Sequence, residues 1–349
     1  MTVADGRVAP ALAWCRRALE EVRGPLRAEL IGGGRSNLTY RLSDGSGATW
    51  ILRRPPVGPL LPRAHDMGRE YRVLNALHDR PDVPVPRPLA FCEDPLVLGV
   101  PFYVMSDVAG TVLRQPEDAA QIPAATRPLV TRNAAQVLAS IHGVDLERVG
   151  LDDLASHSGY LERQLRRWLQ QVELSGDVQA GVLLGACQQR LLEALPDGGG
   201  PALVHGDYRF DNLIVDRRTG AIRAVVDWEI ATVGDPVADL ATWIACFDEP
   251  GDERPALGMR SASSAGGFGS REDLADLYAR ASGRRPDHLD YYLAFAYWKL
   301  ACVLQGVAHR YRAGSAGGSP AEGLGPEHLE WLAGRSSACL RAYAGSAGR

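Results

Sequence analysis

The amino-acid sequence predicts an α+β fold in two units: a small antiparallel sheet with one main helix, followed by a larger, mostly helical unit. Two patterns and one count carry that expectation. Between Ile31 and Arg54 the chain alternates with period two, setting Leu38, Tyr40 and Leu42 against polar neighbours, as strands with one wetted face do. Beyond Gly110 the apolar spacing changes to 3.6. Val130, Ala134, Val137, Leu138 and Ile141 then share one helical face, and Leu161, Leu165, Trp168 and Leu169 another. The 349 residues are 46% hydrophobic, enough for one large domain or two ordinary ones to bury a substantial core.

In chain order, residues 11–23 carry Leu12, Cys15, Leu19 and Val22 at helical spacing and predict a helix that caps the sheet. From Ile31 to Arg54 the expected order is strand, Gly-rich turn, strand, a turn at Asp44-Gly45, and strand, which makes an antiparallel meander. The Pro-rich segment from Pro55 to Pro62 leads to a helix holding Met67, Tyr71, Leu74 and Leu77, ended by Pro84, Pro86 and Pro88. A strand from Pro101 to Val108 closes the sheet unit. Within the helical unit a single strand region is expected, from Ala202 to Trp228, with a turn at Thr219-Gly220. Residues 248–271 and 313–326, rich in Gly, Ser and Pro, read as loops. A long amphipathic stretch runs through Tyr292, Phe295, Lys299 and Cys302.

Composition excludes several function classes. The balance of 38 Lys and Arg against 42 Asp and Glu leaves a net charge of −4, too weak a field to imply nucleic acid or a membrane as partner. Lys299 is the single lysine, and it sits in Tyr-Trp-Lys-Leu, so the chain contains no Gly-Lys-Ser/Thr phosphate loop. A Schiff-base mechanism would have to use Lys299 itself. The six cysteines are scattered, with no Cys-x-x-Cys pair or histidine at metal-ligand spacing, and read as reduced core thiols. The N-terminus shows no apolar run of signal length, and no stretch of about 18 uncharged apolar residues occurs, so a cytoplasmic protein is expected.

The sharpest local signal is His205-Gly206-Asp207-Tyr208-Arg209-Phe210-Asp211-Asn212, followed by Asp227 in Val225-Val226-Asp227-Trp228-Glu229. Singly, each of these residues reads as a turn cap or a strand end; together, in a strand-loop-strand-turn-strand frame, they resemble the His-x-Asp-x-x-x-x-Asn loop and downstream metal aspartate of kinases. The variant with Gly after His and Trp after the aspartate is similar to the aminoglycoside phosphotransferase superfamily. The likeness runs in order from about Gly32 to Leu240. It implies a bilobal, protein-kinase-like fold: an N-terminal nucleotide-binding lobe over residues 1–105, a hinge over 106–110, and a C-terminal catalytic and substrate-binding lobe over 111–349.

Phosphoryl transfer asks a protein mostly for positioning and charge neutralisation. On this reading Asp207 accepts or orients the proton of the attacking hydroxyl, while the Asn212 amide oxygen and the Asp227 carboxylate supply hard oxygen ligands for Mg²⁺. The run Gly234-Asp235-Pro236-Val237-Ala238-Asp239-Leu240 follows, as in the superfamily, and the resemblance makes Asp235 and Asp239 braces of the catalytic loop. The same two residues also read simply as a helix start.

The N-terminal lobe must then hold ATP or GTP as phosphate donor. Gly32-Gly33-Gly34-Arg35-Ser36-Asn37 lies between two strands and fits a phosphate-covering turn, with Gly33 and Ser36 as candidate contacts. Pattern alignment puts Arg53 in the position where most kinases carry lysine, with Glu70 as its helix partner. Arginine is a planar fork rather than a point charge, so its geometry on phosphate must differ. Arg54 remains the alternative, because alternation sends it to the opposite face. Tyr103 to Gly110 looks like the hinge, which implies purine bonding to the backbone of Ser106 and Val108 with Met105 at the back of the pocket.

The acceptor is expected beside Asp207, near Arg209, Lys299 and Arg310. These cations favour a neutral or anionic hydroxyl compound over a polycationic aminoglycoside. The segments Leu293–Arg310 and Leu60–Asp66 are similar to a sub-branch that includes the kinase-like modules fused to acyl-CoA dehydrogenases, which implies hydroxy-acid or hydroxyacyl acceptors. Other branches phosphorylate antibiotic sugar hydroxyls, which would make self-resistance the role. A chain of 349 residues has no room for a fused dehydrogenase, so a stand-alone small-molecule kinase is expected. Two rival readings are a non-catalytic nucleotide-binding scaffold, because the usual lysine is missing, and a protein Ser/Thr kinase, which lacks its Ala-Pro-Glu segment here.

Overall fold

The computed structural model describes residues 8–32, 37–56, 66–155, 158–312 and 325–347. Strand β1 (Arg27–Gly32) begins at Arg27 rather than at the expected Ile31, and with β2 (Leu38–Ser43), β3 (Thr49–Arg54), β4 (Pro88–Cys92) and β5 (Phe102–Ser106) it makes one antiparallel sheet ordered β1-β2-β3-β5-β4. Strand β4 has no counterpart in the sequence reading. It starts at Pro88 and shows no alternation of burial, and as an edge strand it can carry a proline without breaking a ladder.

Strand β3 is buried from Trp50 to Arg54, so both faces of the sheet are covered. One face puts Tyr40, Leu42, Trp50, Leu52, Phe102 and Val104 against Ala11, Cys15 and Leu19, the apolar side of α1 (Ala9–Ala18) and its end. The opposite face puts Ile51, Tyr103 and Met105 against Met67, Val73, Leu74 and Leu77 of α2 (Met67–Leu77). Because alternate residues take opposite faces, Arg53 shares the side of Ile51 and α2, while Arg54 shares the side of Trp50. The Asp66 side chain accepts from the Arg69 N–H and caps α2.

A short helix, α3 (Pro95–Leu98), lies between β4 and β5, and another, α4 (Pro116–Ala119), leads into α5 (Arg127–His142), α6 (Tyr160–Leu174) and α7 (Val178–Glu193). Two small sheets interrupt the helices. Strand β6 (Thr111–Val112) pairs with β8 (Leu213–Val215), which pairs with β9 (Ile222–Val225); β7 (Ala202–Val204) pairs with β10 (Thr232–Gly234). Then follow α8 (Pro236–Cys246), α9 (Arg271–Ser282), α10 (Leu289–Arg312) and α11 (Pro326–Ala347). All of α8 is buried, and α10 is buried from Tyr291 through Cys302 except at Leu293, so these two form the axis of the helical unit. Residues 248–270 are irregular apart from a 3₁₀ turn at Ala262–Ala265. One apolar core runs from Ile51 and Leu74 in the sheet unit to Leu138, Leu213, Trp228 and Trp243 in the helical one.

Candidate active site

The paired strands set the site. The loop His205–Asn212 leaves β7 and enters β8, and Asp227 follows β9 and precedes β10, so two ladders hold both ends of the signature. Asp239, fully buried on α8, accepts from the backbone N–H of His205 at 2.6 Å and of Gly206 at 2.7 Å. Burial alone would push this carboxyl up. Hydrogen bonds from His142 and the Gly206 N–H outweigh it and hold Asp239 below the ordinary carboxylate range. His205 Nδ1 accepts from the Asp207 N–H at 3.2 Å while Nε2 lies 3.0 Å from the Val226 carbonyl, which fixes the Nε2–H tautomer and ties the loop to the Asp227 segment. Asp235 instead caps α8 and accepts from Tyr292 Oη at 2.6 Å and the Gly199 N–H at 2.7 Å, so it braces the helical unit rather than the loop.

Asn212 donates through Nδ2 to the Asp207 carbonyl at 2.8 Å and to Asp207 Oδ2 at 3.0 Å. That orientation leaves Oδ1 of Asn212 as the acceptor a cation can use. Arg209 lies 2.9 Å from Asp207 Oδ1 and, through Nη1, 2.9 Å from Asp211 Oδ2. It thus neutralises two carboxylates of its own loop, where the sequence predicts an acceptor contact. Asp227 has φ 68, in the left-handed region that a non-glycine residue enters only when its surroundings over-determine it.

Arg53 Nη2 donates to Asp227 Oδ1 at 2.8 Å and lies 3.3 Å from Glu70 Oε1. Glu70 Oε1 also accepts from the Trp228 N–H at 3.2 Å, so one carboxylate joins β3, α2 and the segment carrying Asp227. Glu70 is fully buried, and burial pushes its carboxyl up while Arg53 opposes. Arg54 makes a different set of contacts, with Nε on the Pro55 carbonyl at 3.1 Å. Of the two arginines, Arg53 is the one that lines the cleft with Asp227. Asn37, at the end of the Gly-rich sequence Gly32–Asn37, donates to Glu229 Oε2 at 3.1 Å, a link between the two units that sequence reasoning misses. Its one trace in the sequence is the polar residue that closes the glycine cluster. Gly33, Ser36 and the segment Leu60–His65 lie outside the described residues.

A cleft of about 920 Å³ lies between sheet and helices. Arg53, Met105, Ser106, Val108, Asn212 and Asp227 all line it, together with Arg41, Arg114 and Tyr311, which no sequence motif singles out. Gly110 marks the crossing between the units: a Cβ there would meet Ile214 Cγ2 at 2.5 Å and the Val215 carbonyl at 2.9 Å, so only glycine fits. Two acceptor-side expectations separate. Arg310 is exposed on α10. Lys299 is a correction: it is 6% exposed and its Nζ donates to the Gly206 carbonyl at 2.7 Å, so its ammonium is spent inside the protein rather than on an acceptor surface.

A small antiparallel sheet with one main helix, a cleft floored by Asn212 and Asp227, and a mostly helical second unit define the bilobal, kinase-like α+β class. The phosphotransferase enzyme family profile matches residues 27–278, and the chain belongs to that family. It is similar to acyl-CoA dehydrogenase family member 11 of Gallus gallus, 35% identical over 302 residues that make up 85% of this chain but 38% of that protein. The chain thus spans well under half of that curated relative. Among solved structures, one from Ralstonia eutropha JMP134, provisionally assigned as an aminoglycoside phosphotransferase, is 30% identical with TM-score 0.74 and covers 95% of this chain and 98% of its own. A thermostable mutant of aminoglycoside phosphotransferase APH(4)-Ia in ternary complex with AMP-PNP and hygromycin B shares the fold at 16% identity and TM-score 0.60, covering 95% of this chain and 98% of its own. The resemblance drawn from the loop and from Leu293–Arg310 therefore holds, both to the superfamily and to the modules within acyl-CoA dehydrogenase relatives.

Proposed function

We propose that this protein is a Mg²⁺-dependent O-phosphotransferase that moves the γ-phosphate of ATP to a hydroxyl of a small molecule. The observation that carries the reading is the Asn212 side chain, which holds the Asp207 carboxylate at 3.0 Å while lining the same cleft as Asp227 and Arg53. Asp207 is the base, oriented by Asn212 and Arg209. Asn212 and Asp227 offer two oxygen donors, which suits Mg²⁺, an ion that takes few protein ligands and completes its shell with phosphate and water. When bound, the ion neutralises charge on the transferring phosphates. Arg53 takes the position of the phosphate-binding cation with Glu70 behind it, and the backbone of Ser106 and Val108 meets the purine. The nucleotide lobe is residues 1–105, the hinge 106–110, and the catalytic lobe 111–349. The AMP-PNP bound in the fold relative favours adenine over guanine.

For the acceptor we favour a hydroxy acid or hydroxyacyl compound over an antibiotic sugar. Identity of 35% to an acyl-CoA dehydrogenase relative weighs more than a shared fold at 16% with an enzyme bound to hygromycin B. A mass-spectrometric screen with Mg-ATP and a panel of hydroxy acids, hydroxyacyl-CoA esters and aminoglycosides tests this. We expect a gain of one phosphate on a hydroxy acid or its thioester, abolished by EDTA. Transfer to an aminoglycoside alone would overturn the choice of acceptor, and failure of the protein to hydrolyse or transfer from Mg-ATP would favour the scaffold reading.

A further inference from the structure

Lys299 is the single lysine of the chain and is 6% exposed on α10. Burying an ammonium is costly, and burial does lower its hold on its proton. Among the described residues its partners are few for so expensive a group: the Gly206 carbonyl at 2.7 Å and the ring of Trp168, whose centroid is 5.7 Å from Nζ. Trp168 is itself anchored, donating from Nε1 to Gln164 Oε1 at 3.0 Å. The carboxylates of Asp207 and Asp239 supply the nearby negative charge.

The position of that carbonyl explains the expense. The Gly206 carbonyl and the Asp207 N–H belong to one peptide unit, and the N–H side is held by His205 Nδ1 at 3.2 Å. The N–H of Gly206 is held by Asp239 at 2.7 Å. Gly206 itself has φ 87, where no side chain would steady the backbone by packing, and a Cβ would already lie 3.0 Å from Ile230 Cγ1. The Gly206 N–H, the Gly206 carbonyl and the Asp207 N–H are thus all pinned, and the carbonyl is pinned by a charge.

We infer that Lys299 is a positioning residue of the phosphotransfer site: it locks the peptide that precedes Asp207 and so sets the aim of the catalytic carboxylate from inside the helical unit. This rests on Asp207 being the base proposed above. It assigns Lys299 to the loop instead of to the acceptor.

Two measurements test it. Lys299→Met keeps the stem against Trp168 and removes the charge. With the acceptor unidentified, the probe is hydrolysis of Mg-ATP to water. We expect kcat to fall roughly 10²-fold, the size of effect a misaimed group produces, with the ATP KM and the ADP Kd changed less than about twofold and Lys299→Arg recovering a fraction of the loss. A folded Met variant with unchanged kcat, or a KM that moves as much as kcat, overturns the inference. The second measurement needs no turnover and no folded variant at position 299. Lysine-selective ¹⁵N labelling gives one ammonium signal for the whole protein. In the wild type it should be protected from solvent exchange at neutral pH and should shift in Asp207→Asn. A freely exchanging signal indifferent to Asp207→Asn overturns the inference. Wild-type protein that shows the protected signal but no ATP hydrolysis counts against the proposed function and leaves the placement of Lys299 standing.

Discussion

At position 53 a buried guanidinium stands between two carboxylates. The Arg53 guanidinium meets both carboxylates through one nitrogen, Nη2, which lies 2.8 Å from Asp227 Oδ1 and 3.3 Å from Glu70 Oε1. With Arg53 and Glu70 both buried, this is no surface pair worth under about 1 kcal/mol. Removing one partner strands the other in the core, a loss of about 3–5 kcal/mol. Arg53→Ala should therefore lower stability by that order in urea melts and weaken ADP binding at least tenfold by calorimetry; an unaltered ADP Kd would move the phosphate-binding role to another arginine. Strand alternation and the helix glutamate make Arg53 legible in the sequence. The contact with Asp227 is not legible there, because that pairing joins residues far apart in the chain and depends on how α2 packs. The expected acceptor role of Lys299 fails for the same reason: helical spacing says which side of α10 a residue takes, not which loop lies against that side.

Among the elements, the catalytic loop depends on backbone geometry that no side-chain pattern encodes. Gly206→Ala forces a Cβ to 3.1 Å from the Ile230 carbonyl at a φ that disfavours side chains. The expected result is a loss of Mg-ATP turnover larger than the loss of thermal stability. Asp239 gives the loop a pH dependence with a defined sign. Its carboxyl is held below the ordinary value in the folded protein, so the stability it contributes is complete above about pH 4, the unfolded value, and is lost as pH falls through the folded one. Wild-type urea midpoints should drop below pH 4, whereas Asp239→Asn should be less stable at pH 7 and lose less on acidification. At this scale the sequence is readable where runs are long. Helices α2, α5 and α6 follow their apolar spacing closely, while α7 and the short strands β4, β6 and β10 escape it. Strands of two to five residues carry too few alternations to register, and they exist because a neighbouring strand pairs with them.

For the whole molecule, the core running from Ile51 and Leu74 to Leu213 and Trp243 argues that the two lobes unfold together. Thermal melts followed by tryptophan fluorescence and by circular dichroism should coincide, and Mg-AMP-PNP at about 100 times its Kd should stabilise by about 2.7 kcal/mol. Two separated transitions would show the lobes to be independent. No helix among the described residues is long and apolar enough to cross a membrane. The bilobal plan is legible from the switch in periodicity near Gly110 and from the loop motif, because both are local. The cleft is not, since its lining draws on β3, the segment from Met105 to Val112, the loop that ends at Asn212 and α10 at once.

Asp207 carries the central claim, and the direct test is turnover of Mg-ATP by Asp207→Ala beside its affinity for ADP. A general base contributes about 10²–10⁴-fold, so turnover should fall by at least 10² while the ADP Kd changes less than about twofold. Turnover equal to the wild type in the folded variant would contradict the assignment of Asp207 as the base.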